Sequence, residues 1–169
     1  LLYSYIPDRI LTSGDAISNI VKKVRCVDPR KVVSIPAGVD LCRFNPGISG
    51  EKIRAEFKVR PDQPFVGKIG VIRGWKGHDY FLEAIPLILQ ELPKARFVIV
   101  GDGPGFEEIK SKVKLAGIGN KVDLLGHRDD IPQIMAALDV QVLASFEGEG
   151  TPQVIPQAFA MKTPIVATK

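Results

Sequence analysis

The sequence contains few residues of the kinds that bind metals or build disulfide frameworks. It has two cysteines, Cys26 and Cys42, without CxxC spacing, and two histidines, His78 and His127. A structural zinc site takes about four such ligands at close spacing, and a disulfide framework takes a larger set of cysteines. We therefore expect no metal and no disulfide, and a reducing cytoplasm as the compartment.

Aromatic residues are also scarce, at 7% of the chain, and Lys and Arg are spread along it. Nucleic-acid surfaces combine clustered basic residues with stacking rings, so we expect no nucleic-acid partner. The net charge of +4 is mild and suits an anionic ligand or an acidic membrane surface.

No apolar run approaches the ~20 residues that span a bilayer. Residues 1–7 lack a basic leader. Together these features predict a chain that is neither transmembrane nor secreted.

Short β-rich runs alternate with segments of helical periodicity. The predicted strands are Lys31 to Ile35, Phe65 to Val71, Phe97 to Val100, Val122 to Leu125, Val140 to Ala144 and Ile165 to Ala167. Because most of these runs lack polar alternation, they indicate strands buried on both faces. The expected fold is α/β, a doubly wound parallel sheet of the Rossmann-like kind.

The chain divides by composition into three predicted parts. Residues 1–45 form an earlier strand–helix–strand piece, and residues 46–64, which contain Pro46, Gly47, Gly50 and Pro64, are typical of a linker. Residues 65–169 form the Rossmann-like domain.

Ligands of an open parallel sheet bind at the carboxyl ends of its strands. Arg73 and Lys76 follow the first strand of the predicted domain, where two cations can hold a diphosphate and stabilise a departing nucleoside diphosphate. A pair of exposed surface charges is the alternative. The glycine-rich loop after the next strand, Gly101–Gly105, makes either a tight turn or a ligand contact, and Phe106 excludes the NAD fingerprint.

The segment after Val140 to Ala144 predicts a further ligand contact. Thr151 is a favoured N-cap and Pro152 a favoured first helical residue, which predicts a helix start whose free amides suit phosphate. Glu149 precedes this start and could bind sugar hydroxyls. The alternative is that Glu147 and Glu149 only complement the helix dipole.

Four ordered motifs resemble the family 4 retaining glycosyltransferases of the GT-B fold, also called glycosyltransferase group 1. They are Ile35–Asp40 with Phe44 and Pro46, Trp75–His78, Val98–Pro104 and Ser145–Thr168. The resemblance implies that Arg73 and Lys76 hold the donor diphosphate and that Glu149 contacts the transferred sugar, as the first glutamate of the E-x7-E motif. Gly150 and Thr151 would offer backbone amides to the diphosphate.

The second glutamate of that motif, which binds the ribose in the family, falls on Gln157, an amide that can still hydrogen-bond both ways. Gly101 and Arg128 would lie near the nucleoside. The family's arginine usually stands where Val71 is found, so Arg73 is a displaced substitute. The resemblance implies no metal and no cofactor, since the nucleotide sugar is a substrate.

Enzymes of this family have two domains. We expect residues 1–45 to be the remnant of the N-terminal acceptor domain, and the chain to be a fragment that lacks most of that domain and the closing part of the C-terminal domain. A glycan or lipid-linked acceptor would approach through the missing domain, as in the synthesis of lipopolysaccharide or another polysaccharide. The full-length protein would be cytoplasmic, with peripheral contact at the inner face of the membrane.

Two alternative functions use the same fold. A nucleotide-sugar epimerase would need carboxylates and a histidine near the sugar; Glu149 fits that role, but neither histidine does. A non-catalytic nucleotide-sugar-binding module is the second alternative, and it would show no turnover.

Overall fold

A computed structural model describes residues 7–147 and 149–168 of the chain. By its internal contacts the chain forms two compact units. The first consists of Leu1–Val39 with Glu149–Gln153, and the second of Asp40–Gly148 with Val154–Lys169.

The first unit contains a strand–helix–strand arrangement. Strand β1 (Ile10–Thr12) pairs in parallel with β2 (Val32–Ser34), and α1 (Asp15–Lys22) connects them together with a 3-10 turn at Pro29–Lys31. The Thr12 and Ser18 hydroxyls share a buried hydrogen bond that ties the helix to the strand end.

The second unit is built on a five-stranded parallel sheet of order β5-β4-β3-β6-β7. The strands are β3 (Phe65–Ile69), β4 (Arg96–Val100), β5 (Val122–Leu124), β6 (Val140–Leu143) and β7 (Ile165–Ala167). The chain winds outward from β3 in one direction through β4 and β5, and in the other through β6 and β7. This reversal beside β3 is the switch point of a doubly wound sheet, so the predicted fold class is confirmed.

Helices cover both faces of this sheet. They are α2 (Glu51–Glu56), α3 (His78–Glu91), α4 (Phe106–Leu115), α5 (Ile131–Ala137) and α6 (Val154–Ala160). Val66, Phe97 and Ile99 belong to a core cluster shared with α3 and α4. Their alternating neighbours Phe65 and Val98 belong to a second cluster shared with α2 and α5. Burial on both faces explains why the strands read as continuous apolar runs.

The predicted linker, residues 46–64, forms part of the second unit. Ile53 and Val59 are buried in the core cluster shared with α5. Gly50 lies against the backbone of Ala137 so closely that a Cβ atom would overlap it. The segment is therefore packed structure and not an extended connection, and the unit of which it is a part begins at Asp40.

The start of one helix differs from the sequence prediction. The helix predicted to start at Thr151 and Pro152 begins at Val154. The Thr151 hydroxyl donates to the carbonyl oxygen of Ser13, so it does not cap that helix. At the start of α5, Asp130 stands at the N-cap, and its carboxylate accepts hydrogen bonds from Arg128 and makes no capping bond.

Candidate functional site

The loops at the carboxyl edge of the second unit's sheet are joined by backbone hydrogen bonds. The Ile72 amide donates to the Asp102 carbonyl (2.9 Å), and the Gly105 amide donates back to the Ile72 carbonyl (3.2 Å). The Gly101 amide donates to the carbonyl of Gly126 in the next loop (2.8 Å). The loops after β3, β4 and β5 therefore form one continuous rim beside the switch point.

Gly101 has a steric reason for its place in this rim. Its φ is +136°, and a Cβ atom there would overlap the carbonyl oxygen of Gly70 in the neighbouring loop. This close approach of two backbones accounts for the glycine by itself. The predicted nucleoside contact of Gly101 stays a prediction.

Arg73 and Lys76 lie in the loop between β3 and α3, where the sequence placed them. Arg73 is exposed, and its Cζ atom lies 5.3 Å from the centroid of the Trp75 ring, a cation–π arrangement. Gly74–Lys76 form a 3-10 turn that ends at Gly77 in the left-handed conformation, with φ +65°. The turn fixes the backbone of the loop that carries both cations at the end of the central strand.

This loop is also joined to the end of β6. A Cβ atom on Gly77 would overlap the carbonyl oxygen of Ala144. The Phe146 amide donates to the Trp75 carbonyl (3.1 Å). The two loops that flank the switch point therefore hold each other in place.

His78 begins α3 and is 3% exposed. Neither ring nitrogen has a hydrogen-bond partner within residues 7–147 and 149–168. Burial, with smaller contributions from the nearby Lys68 and Lys76 charges, lowers the pKa of His78 to about 4. The ring is therefore neutral at pH 7.

Sequence reasoning gave no role to His78 or to Lys68, which is 3% exposed inside β3. The signal that could have identified Lys68 is a single charge within the otherwise apolar run Phe65–Val71. For His78 the sequence offers only its position directly after the cationic loop.

Glu149, Gly150 and Thr151 group with the first unit, whereas Arg73 and Lys76 belong to the second. Glu149 is half-buried. A Cβ atom on Gly150 would lie 2.8 Å from the Ser13 hydroxyl, so the segment packs against the turn between β1 and α1. The common site that the sequence assigns to these residues stays a prediction.

Arg128 is held by carboxylates. Its guanidinium donates to Glu56 of α2 (2.7 Å) and to both oxygens of Asp130 (2.8 and 2.7 Å). These hydrogen bonds raise the pKa of Arg128, and the guanidinium lowers the pKa of Asp130. The side chain thereby fastens the loop after β5 to α2, a structural role that the sequence did not indicate.

Gln157, the predicted ribose contact, lies half-buried in α6.

Among the residues that the structure describes, no His, Cys, Asp and Glu side chains are grouped as metal ligands would be. Nor does any helix in the described part have both the length and the apolar character needed to cross a membrane.

The strand order and the edge loops define a Rossmann-like α/β domain of the GT-B kind. The chain belongs to the family described as Glycosyl transferases group 1, whose sequence profile matches residues 61–169.

Curated relatives match along most of the chain. It is 35% identical over 164 residues to a UDP-Gal:alpha-D-GlcNAc-diphosphoundecaprenol alpha-1,3-galactosyltransferase of Escherichia coli, covering 95% of this chain and 42% of that protein. It is 31% identical over 137 residues to the lipopolysaccharide core biosynthesis mannosyltransferase LpsB of Rhizobium meliloti, covering 78% of this chain and 38% of that protein. The chain thus spans about two fifths of the length of these relatives.

A solved structure of similar fold is that of Anabaena HepE in complex with UDP-glucose. The TM-score is 0.85 at 26% identity, over 98% of this chain and 46% of HepE.

Proposed function

We propose that this chain is the donor-binding half of a glycosyltransferase that moves a sugar from a nucleotide-sugar donor to an acceptor with retention of anomeric configuration. The observation that carries the proposal is the cationic loop after β3, with Arg73 and Lys76 at the carboxyl end of the central strand beside the switch point. Membership of the family and the likeness to HepE, which was solved with UDP-glucose, support it.

The chemistry required of the loop is charge stabilisation. When the bond between sugar and nucleotide breaks, negative charge develops on the leaving diphosphate. Arg73 and Lys76 stabilise that charge through charge-assisted hydrogen bonds. Their backbone is held by Gly77 and by the Phe146–Trp75 hydrogen bond, so little reorganisation is needed during the reaction.

Other predicted residues complete the donor site in this proposal. Glu149 accepts hydrogen bonds from hydroxyls of the transferred sugar, and Gly150 and Thr151 offer backbone amides to the diphosphate. Gln157 bonds the ribose hydroxyls. The loops that carry Gly101 and Arg128 border the nucleoside. No metal or cofactor takes part, because the cations of the chain neutralise the diphosphate.

The acceptor in this proposal is a glycan or a lipid-linked saccharide, which reaches the donor through a further domain. The name of the E. coli relative describes transfer to a diphosphoundecaprenol-linked sugar, which supports a lipid-linked acceptor. The whole enzyme would then work in the cytoplasm, in peripheral contact with the inner face of the membrane.

Calorimetric titration with UDP, GDP, ADP and CDP tests the donor half directly. We expect one of these diphosphates to bind, and Lys76→Met to weaken its binding about tenfold, since a charge-assisted bond to a phosphate oxygen is lost. Lys114→Met is the matched control, because Lys114 is an exposed lysine on α4. Absence of binding by a folded sample, or equal loss in both variants, would reject the proposal.

Product analysis on the full-length protein tests the transfer itself. Released nucleoside diphosphate together with a new glycosidic bond of retained configuration is the expected result. An epimerised nucleotide sugar, or no turnover, would instead indicate one of the alternative functions.

A further inference from the structure

Two large aromatic rings lie exposed and in contact with each other beside the cationic loop. Tyr80 is 56% exposed and Phe146 is 54% exposed. Their ring centroids are 5.8 Å apart at an interplanar angle of 81°, an edge-to-face contact. Tyr80 is on the first turn of α3 and Phe146 is in the loop after β6, so the pair joins the start of α3 to that loop beside the switch point.

Trp75 adjoins this pair through its backbone, and we define Trp75, Tyr80 and Phe146 together as the aromatic cluster. The Trp75 carbonyl accepts the Phe146 amide (3.1 Å), and the Trp75 ring carries Arg73 near one face. All three residues belong to the second unit. Neither ring of the exposed pair is needed to fill the core, since neither belongs to its buried clusters.

The surroundings of the cluster are polar and carry both signs of charge. The exposed Glu147 is adjacent in sequence to Phe146, and the exposed Arg73 guanidinium lies near Trp75. The Asp79 carboxylate next to Tyr80 is instead paired with Lys112 of α4 (2.8 Å). A ligand that matches this surface has a weakly polarised C–H face for the rings and hydroxyls for the Glu147 carboxylate and the Arg73 guanidinium. A pyranose ring has both features.

Other ligand classes fit less well. A nucleobase is bound best on or between parallel ring faces, whereas Tyr80 and Phe146 are perpendicular to each other and Arg73 lies near the Trp75 ring. An anionic lipid surface would be repelled by the exposed Glu147 carboxylate beside Phe146.

The geometry points to a saccharide-binding platform at the aromatic cluster, which holds a pyranose ring of the acceptor next to the donor loop. This inference rests on the proposed function, and it names the saccharide class of the acceptor and residues of this chain that bind it. The platform lies in the donor half, so the chain itself carries part of the acceptor site.

Saturation-transfer difference NMR with methyl α-D-glucopyranoside tests the platform on this chain. We expect a saccharide signal that Phe146→Ala weakens about fivefold, in line with the loss of one aromatic contact. Phe146→Tyr keeps a ring and should retain the signal. Phe159→Ala is the matched control, because Phe159 is 67% exposed on α6, outside the cluster.

Calorimetry of the same variants with UDP separates this inference from the proposed function. We expect Phe146→Ala to bind UDP as the unmodified chain does. Loss of UDP binding in Phe146→Ala would overturn the platform, because the rings would then serve the nucleotide. An undiminished saccharide signal in Phe146→Ala, or none in the unmodified chain, would also overturn it. A saccharide signal that depends on Phe146, without any UDP binding, would support the platform and reject the donor site.

Discussion

Gly77 occupies a backbone conformation and a space that suit no other residue. Its φ of +65° is left-handed, and a Cβ atom would overlap the Ala144 carbonyl oxygen at the end of β6. We expect Gly77→Ala to lower the free energy of unfolding by about 3 kcal/mol, from backbone strain and forced displacement together. Urea unfolding followed by the fluorescence of Trp75, the one tryptophan of the sequence, measures this.

Gly74→Ala is the control for that experiment. Gly74 lies in the same loop, but a Cβ atom there meets nothing within 4 Å. A loss of stability in Gly74→Ala as large as in Gly77→Ala would show that the loop does not depend on the contact with β6.

His78 makes stability depend on pH. Its pKa is about 4 in the folded chain against 6.5 for the free side chain, so the unfolded chain binds the proton more readily between these values. The stabilising contribution is complete above pH 6.5 and decreases as pH falls towards 4. Between pH 7 and pH 5 the expected loss is about 2 kcal/mol.

Urea unfolding of His78→Leu at both pH values isolates this contribution. The variant should lose about 2 kcal/mol less than the unmodified chain between pH 7 and pH 5. Identical pH dependence in the variant and in the unmodified chain would contradict the low pKa of His78.

At the residue scale, the sequence could place Arg73 and Lys76 because strand ends and charges are both local features. It could not show that Arg128 pairs with Glu56, which is 72 positions away. Nor could it find that the Thr151 hydroxyl is bonded to Ser13, 138 positions away. Roles set by long-range pairing are not present in any local pattern.

At the scale of elements, one arginine fastens α2 to the rest of the second unit. Arg54 donates to the Ala137 carbonyl at the end of α5 (2.9 Å) and to the Asp139 carboxylate (2.6 Å). We expect Arg54→Met to cost about 2 kcal/mol, because the half-buried guanidinium no longer donates to the Ala137 carbonyl and to the exposed Asp139 carboxylate. Urea unfolding measures this cost.

Lys52→Met on the exposed face of the same helix is the control for Arg54 and should change stability little. If both substitutions had the same small effect, the hydrogen bonds of Arg54 would not be what stabilises the position of α2.

The elements of the sheet could be read from the sequence because burial on two faces leaves continuous apolar runs, as in Phe65–Ile69 and Arg96–Val100. The packing of the short helix α2 could not, since its few apolar residues resemble those of a linker until α5 is placed against them. The predicted start of α6 at Thr151 is wrong, because the helix begins at Val154. Thr151 is a favoured capping residue, but its hydroxyl bonds to Ser13 instead of to the helix.

At the scale of the molecule, the proposed donor site requires an anionic ligand to bind at one particular place. The net charge of +4 attracts anions without directing them to one place. The second unit offers two kinds of basic surface. One is the loop at Arg73 and Lys76, and the other is a groove between α4 and β5 with Lys110 and Lys114 on its lining. Position, and not charge alone, distinguishes a donor site from general attraction of anions.

The most direct measurement is an NMR titration of the isotopically labelled chain with UDP, which follows each backbone amide. If the cationic loop binds the diphosphate, the largest chemical-shift changes should occur at the amides of Gly74, Lys76 and Gly77, after the end of β3. Shifts centred on the groove at Lys110 and Lys114, or no shifts in a folded sample, would contradict this binding site.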